Sequence, residues 1–223
     1  MNKLTPEFRD RLRVFSLDNI YWPKKAEVIL DENPLSLYRF SAENIGRHQP
    51  LNYLEFGVAH GNSLREMIRL FDHPDCRFFG FDSFIGLPED WLMHKKGAFA
   101  NSGHPPDLRD ERLKFIVGWF QNTVSDFFKS NAVDGSHPTL VHFDCDLYSS
   151  TLFLLTSLWH QFAEYYFIFD DFIQDDSIAL NDFMSAYPTE IKFIAQTRGG
   201  GAGPNPDRVF GHIRRSPLVV AGV

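Results

Sequence analysis

Two apolar runs drive straight into paired carboxylates: "LVHFDCD" at residues 140–146 and "YFIFDD" at residues 166–171. Such a junction suits a strand buried on both faces of a parallel sheet, because only there does the apolar run carry no polar alternation. Its carboxyl end then opens onto a crevice where acids are useful. The two runs lie one strand–helix–strand unit apart, so they are expected to be neighbouring strands about 5 Å apart.

The rest of the chain fits that frame. "NYLEFG" (52–57), "RFFGFD" (77–82), "LKFIVG" (113–118) and "TLVHFD" (139–144) read as further strands. "NSLREMIRLF" (62–71) and "SSTLFLLTSLWHQF" (149–162) read as the helices between them. Strands separated by helices imply βαβ crossovers and a doubly wound, mostly parallel sheet. "NDFMSAY" (181–187) continues as a helix whose start is expected to be capped by Asp175 or Asp176. After Pro188, "IKFIAQT" and "RVFGHIRR" are joined by "RGGGAGPNPD" and predict a C-terminal antiparallel hairpin. Residues 1–50, including the amphipathic "EFRDRLRVF", are expected to form a helical and loop segment capping one end of the sheet, with residues 51–223 as the one domain.

A chain of 223 residues favours a single α/β domain. Its 22 basic against 29 acidic residues argue against nucleic acid and anionic membranes as partners, both of which want a basic surface. No apolar run approaches the roughly 20 residues that span a bilayer, and "MNKLTPEFRD" lacks a signal-peptide core. Cys76 and Cys145 are too few for a disulfide framework or a zinc site. A reduced, cytoplasmic home is the expectation.

Polar residues that end apolar strands are the ones to inspect: Glu55 with Gly57, Asp82, Gly118, Asp144 with Asp146, and Asp170 with Asp171. Gly57 and Gly61 flank a strand-to-helix turn, where missing side chains admit a ligand to the backbone and to the helix N-terminus. The dinucleotide G-x-G-x-x-G spacing is absent, since Ala59 stands where the second glycine would be, and a plain tight turn is the competing reading. Asp82 follows at about the ~20-residue separation of a ribose-binding acid, against a role as turn or cap residue.

Asp144, Asp170 and Asp171 converging without a cation would repel one another, and some would have to protonate. A hard divalent ion resolves this: Mg²⁺ by preference, with Mn²⁺ or Ca²⁺ as alternatives. The competing reading makes Asp144 and Asp171 caps of the following helices. His142 reads as a buried, satisfied histidine rather than a ligand, and Cys145 as a small packing residue. "MHKKGAFANSGHPPD" (93–107) and "RGGGAGPNPD" (198–207) are long enough to order over a substrate as lids.

Taken in order, "LEFGVAHGNSL", "FDSFIGLPEDW", "GWFQNTV", "DCDLYSST" and "FDDF" resemble the macrocin O-methyltransferase family over roughly residues 50 to 175. The resemblance implies a Rossmann-like class I methyltransferase that uses S-adenosylmethionine and a metal to methylate a hydroxyl of a sugar-like natural product. It implies that the Glu55–Gly57 loop, with Ser63 nearby, meets the methionine end of the cofactor. Asp82 and Ser83 would hold the ribose, and Gly118 and Trp119 would lie by the adenine. Asp144, Asp170 and Asp171 would bind Mg²⁺, with Asp144 also the general base. The family's usual glycine between the first two acids is Cys145 here.

The partner so implied is a small-molecule acceptor with vicinal hydroxyls; a homo-oligomer is left open. Two rivals stand beside this reading. A nucleotide-sugar glycosyltransferase would use "DCD" as its D-x-D but leaves Gly57, Gly61 and Asp82 without a purpose. A non-catalytic homologue would keep the fold and cofactor without turnover. A phosphotransferase of the D-x-D-x-T kind fits poorly, because Tyr148 stands at its threonine.

Overall fold

A computed structural model describes residues 26–130, 133, 135–172, 175–198 and 207–216. The amphipathic stretch near the N-terminus and nearly all of the 198–207 loop fall outside them.

The order of elements is β1 (Val28–Leu30), α1 (Pro34–Ile45), β2 (Asn52–Phe56), α2 (Asn62–Leu70), β3 (Arg77–Asp82), β4 (Leu113–Val117), α3 (Phe120–Lys129), β5 (Thr139–Phe143), α4 (Tyr148–Gln161), β6 (Glu164–Phe169), α5 (Asp175–Ala186), β7 (Thr189–Thr197) and β8 (Val209–Arg215). These eight strands form one sheet ordered β1-β7-β8-β6-β5-β2-β3-β4. β8 alone runs antiparallel to its neighbours, and it lies between β6 and β7. The expected hairpin is therefore present, with its return strand wedged into the sheet.

Strand chemistry follows burial. β2 and β5 are buried at every residue, which is why "NYLEF" and "TLVHF" show so little polar alternation. Successive side chains serve opposite cores. Leu54, Phe56, Phe79, Phe81, Val141, Phe143, Phe167 and Phe169 pack on one face with residues of α4 and α5. Tyr53, Phe78, Leu140 and Ile168 pack on the other with residues of α1 and α2. Phenylalanines stack across adjacent strands at 4.5 Å between centroids, Phe56 on Phe81 and Phe143 on Phe169.

Two local expectations change. The segment before residue 50 contributes an edge strand, since β1 pairs in parallel with β7. At three residues that strand is too short to leave a period in the sequence. α1 behind it starts on Asn33, whose side chain accepts from the Leu35 amide, with Pro34 in the first turn. Asp175 and Asp176 also lie within the first turn of α5 instead of preceding it.

The chain runs β2, β3, β4 outward in one direction and then returns to place β5 on the other side of β2. The strand order thus reverses between β2 and β5, and the carboxyl ends of these two strands frame the crevice.

Candidate active site

At the reversal, the backbone after β2 and the backbone after β5 nearly touch. The Asp144 amide donates to Phe56 O at 2.9 Å. A Cβ on Gly57, which has φ +95°, would stand 1.7 Å from the Asp144 carbonyl oxygen. Only glycine satisfies both the backbone sign and the space. Gly61, at φ +73°, starts α2 in the left-handed conformation and lies under Pro106 and Leu108.

Asp82 ties the turn together. Its Oδ2 accepts from the Val58 and Ala59 amides at 2.9 and 2.8 Å, and its Oδ1 accepts from the Phe84 amide at 2.7 Å. The Gly118 amide in turn donates to Asp82 O at 2.9 Å. Asp82 therefore fixes the ends of β2 and β3 through its carboxylate and the end of β4 through its backbone carbonyl.

These ends open into a cavity of about 710 Å³, within the usual range of small-molecule sites. Gly57, Asp82, Ser83, Gly118 and Trp119 line it, as do Asp144 and Asp171. Glu55, Gly61, Ser63 and Asp170 are not among its lining residues. Aromatic residues that spacing did not reveal complete it: Trp91, His94 and Phe99 from the long loop after β3, and Phe120 and Phe153. His94 stacks on Trp91, and Leu87 and Gly97 pair through their backbones, so this loop is a built wall of the cavity. Gly86 permits the fold, because a Cβ there would lie 2.3 Å from Gly97 O.

Asp144 and Asp171 of the cavity lining, together with the adjoining Asp170, offer oxygens that all lie within 4.8 Å of one another. Burial raises the Asp144 carboxyl well above its ordinary range, and the Asp170 charge adds to it. Burial and Asp170 likewise raise Asp171. Asp146, also in the cavity wall, is pushed up to about 8 by burial and by Asp171.

Asp170 differs. Burial opposes its ionisation, yet the neighbouring His142 and Arg208 prevail and hold it below the carboxylate range. Its Oδ1 accepts from Tyr38 Oη and from Arg208 Nε, each at 2.9 Å, and lies 3.5 Å from His142 Nε2. All three approach the same oxygen. His142 is fully buried; burial lowers its pKa, but Asp170 and Glu55 outweigh that and bring it to about 10. Three oxygen donors that resist ionising together fit a hard divalent cation, which would let all three carry charge.

The match to known proteins decides what this crevice belongs to. The family model described as Macrocin-O-methyltransferase (TylF) aligns with residues 2–192. The chain belongs to the macrocin O-methyltransferase family. It is accordingly an O-methyltransferase, with S-adenosylmethionine as methyl donor and a small-molecule acceptor. Demethyldecarbamoylnovobiocin O-methyltransferase of Streptomyces niveus is 26% identical over 204 residues, which is 80% of this chain and 76% of the relative.

Among solved structures, the O-methyltransferase NovP superposes with a TM-score of 0.56 at 22% identity, over 82% of this chain and 79% of NovP. An O-methyltransferase from Bacillus cereus, solved with S-adenosylhomocysteine, reaches 0.53 at 13% identity over 96% of this chain and 93% of its own. Both likenesses are of fold. Like them, this macrocin O-methyltransferase family member is Rossmann-like, and none of its described helices is long and apolar enough to cross a membrane.

Proposed function

We propose that this family member transfers the methyl group with the help of Mg²⁺ to one of two vicinal hydroxyls on a sugar-like acceptor. The observation that carries the proposal is that Asp170 converges with Asp144 and Asp171, two acids that line the glycine-walled cavity. Mn²⁺ and Ca²⁺ suit the same oxygen donors.

The cofactor is assigned to the strand ends. Its methionine end lies on the Gly57 turn, with Glu55 and Ser63 bracing that turn from behind. Its ribose faces Asp82 and Ser83, and its adenine faces Gly118 and Trp119. Asp82 already receives three backbone amides, two on Oδ2 and one on Oδ1, so a ribose hydroxyl would use the one remaining lone pair, on Oδ1.

In the transfer, an acceptor oxygen attacks the methyl carbon in line with the departing sulfur. The new C–O bond forms as the C–S bond breaks, and S-adenosylhomocysteine leaves as a neutral thioether. Holding the two reactants near 3 Å supplies much of the rate. A cation bound by Asp144, Asp170 and Asp171 would draw in two adjacent acceptor oxygens and lower the pKa of the one that reacts. The proton passes to Asp144. A second reading of that step rests on one observation: Asp146 shares the cavity wall without belonging to the three converging acids. Comparing Asp146→Asn with Asp144→Asn under single-turnover conditions separates the two. Loss of transfer in Asp146→Asn with metal affinity unchanged assigns the proton to Asp146.

The test of the whole is calorimetry with S-adenosylmethionine and S-adenosylhomocysteine, followed by a screen of vicinal-diol and catechol-like acceptors with Mg²⁺ and with chelator. Micromolar cofactor binding and chelator-sensitive methylation are expected. Methylation that chelator leaves untouched would overturn the metal role. Binding of nucleotide sugars with no binding of either methionine cofactor would overturn the cofactor assignment.

A further inference from the structure

A single buried line of polar groups joins the cofactor turn to the metal-facing acids. Ser63, on the first turn of α2, donates to Glu55 Oε1 at 2.8 Å. Tyr53 donates to Glu55 Oε2. Tyr53 has one proton and gives it to Glu55, so the 2.8 Å contact between Tyr53 Oη and His142 Nδ1 requires His142 to donate. His142 Nε2, which has no hydrogen-bond partner among the described residues, then faces Asp170 Oδ1 across an ion-pair distance of 3.5 Å. Tyr53, Glu55 and His142 are 0% exposed, so bulk solvent does not reach these partners.

We propose that this line couples the two ligands: S-adenosylmethionine and the divalent cation bind cooperatively, and His142 is the positioning residue that transmits the effect. The proposal rests on the methyltransferase reading of the site. Asp170 Oδ1 carries His142, Tyr38 and Arg208, and none of the described hydrogen bonds reaches Oδ2, which leaves that oxygen for a cation. Groups behind a ligating carboxylate fix its orientation and tune its affinity. A cofactor seated on the Gly57–Ser63 turn orders Ser63, hence Glu55, hence the face of Tyr53 and His142 that holds Asp170. The cost of ordering the shared line then falls on whichever ligand arrives first, and the second binds more tightly. Linkage requires the effect to be equal in both directions.

Tyr38 gives the comparison a built-in control. It comes from α1 and meets Asp170 on the same oxygen, but the described hydrogen bonds give it no link to Glu55 or Ser63. A merely structural support of Asp170 would act through Tyr38 and His142 alike.

The experiment measures S-adenosylhomocysteine affinity by calorimetry with saturating Mn²⁺ and with chelator, and Mn²⁺ affinity by electron paramagnetic resonance with and without S-adenosylhomocysteine. That product lacks the sulfonium charge, which removes through-space repulsion between cofactor and cation. In the unaltered protein each ligand should tighten the other by the same factor, about 5-fold or more. In His142→Phe both ligands still bind, and the factor falls below about 2-fold. In Tyr38→Phe, Mn²⁺ affinity drops about 10-fold or more with the coupling factor retained.

Full coupling in His142→Phe, or its loss in Tyr38→Phe as well, overturns the assignment. Should His142→Phe fail to fold, Tyr53→Phe removes one hydroxyl from the same line and carries the same expected and opposing results. An unaltered protein that binds both ligands independently overturns the coupling alone. One that binds neither overturns the methyltransferase reading together with it.

Discussion

Gly57 and Asp144 face each other across the reversal of strand order, so closely that a Cβ on the first would lie 1.7 Å from the carbonyl oxygen of the second. The two come from strands that are far apart in sequence and adjacent in the sheet. The cofactor turn and the first acid of the cluster are therefore one piece of backbone geometry. Gly57→Ala must push β2 and β5 apart at their ends and also force an alanine to φ +95°. The expected result is a cost of about 2–4 kcal/mol in stability and loss of detectable S-adenosylhomocysteine binding. Thermal unfolding and calorimetry read the two effects. Unchanged cofactor affinity would show that the turn is not where the cofactor sits.

Asp170→Asn and Asp171→Asn remove one anionic oxygen each from the floor while keeping shape. Methyl transfer should fall by about 100-fold or more, which is about 2.7 kcal/mol of transition-state stabilisation. S-adenosylhomocysteine affinity measured in chelator should change little, because neither side chain contributes to the Gly57 turn. Asp170→Asn should also leave Arg208 and His142 without their anionic partner, so it alone lowers the melting temperature appreciably. Two variants that keep full, chelator-insensitive activity would remove the case for a metal.

Asp82 is predicted to matter to the fold of the site before it matters to any ribose. Asp82→Ala strands the amides of Val58, Ala59 and Phe84. Each amide that water does not reach costs about 1–3 kcal/mol. Protease cleavage within the Gly57–Gly61 turn should become faster even without ligand. Asp82→Asn, which keeps one acceptor oxygen, should lose less. Equal behaviour of the two variants in limited proteolysis would count against this order of importance.

What could be read in advance, and what could not, divides along physical lines. The parallel strands were legible because burial on both faces leaves long apolar words such as "YFIF", ended abruptly by acids. The Asp144–Asp170–Asp171 cluster followed, since strand ends that are neighbours in a sheet must bring their terminal residues together. Tyr38 and Arg208 were not legible. Each reaches Asp170 from a place that sequence periodicity does not encode: α1 behind a three-residue edge strand, and the residue leading into β8, which is wedged between β6 and β7. Glu55 carried a strand-end pattern, yet the structure turns it inward to Tyr53, Ser63 and His142. A strand's last residues alternate between the crevice and the core, and one acid gives no hint of which it faces.

Asp176 supplies a prediction about pH. It is 1% exposed, Thr151 donates to its Oδ1, and its Oδ2 has no partner among the described residues. Burial raises its carboxyl well above the ordinary value, with the Thr151 bond opposing. In the unfolded chain the group ionises near 3.9, as an exposed aspartate does. Between that pH and the raised folded value, the native state holds a proton that the unfolded state has released. Stability from this group is therefore complete below about pH 4 and declines as pH rises through the window. Asp176→Asn cannot ionise and lacks this slope. The melting temperature of Asp176→Asn minus that of the unaltered protein should become more positive from pH 5 to pH 8, at about 2–4 °C per kcal/mol. Taking the difference cancels titrating groups that do not interact with Asp176, while Asp171, Asp146 and Asp175, whose charges raise its carboxyl, stay coupled to it. A difference that stays flat, or that falls as pH rises, would mean that Asp176 is ionised in the native protein and held by a cationic partner.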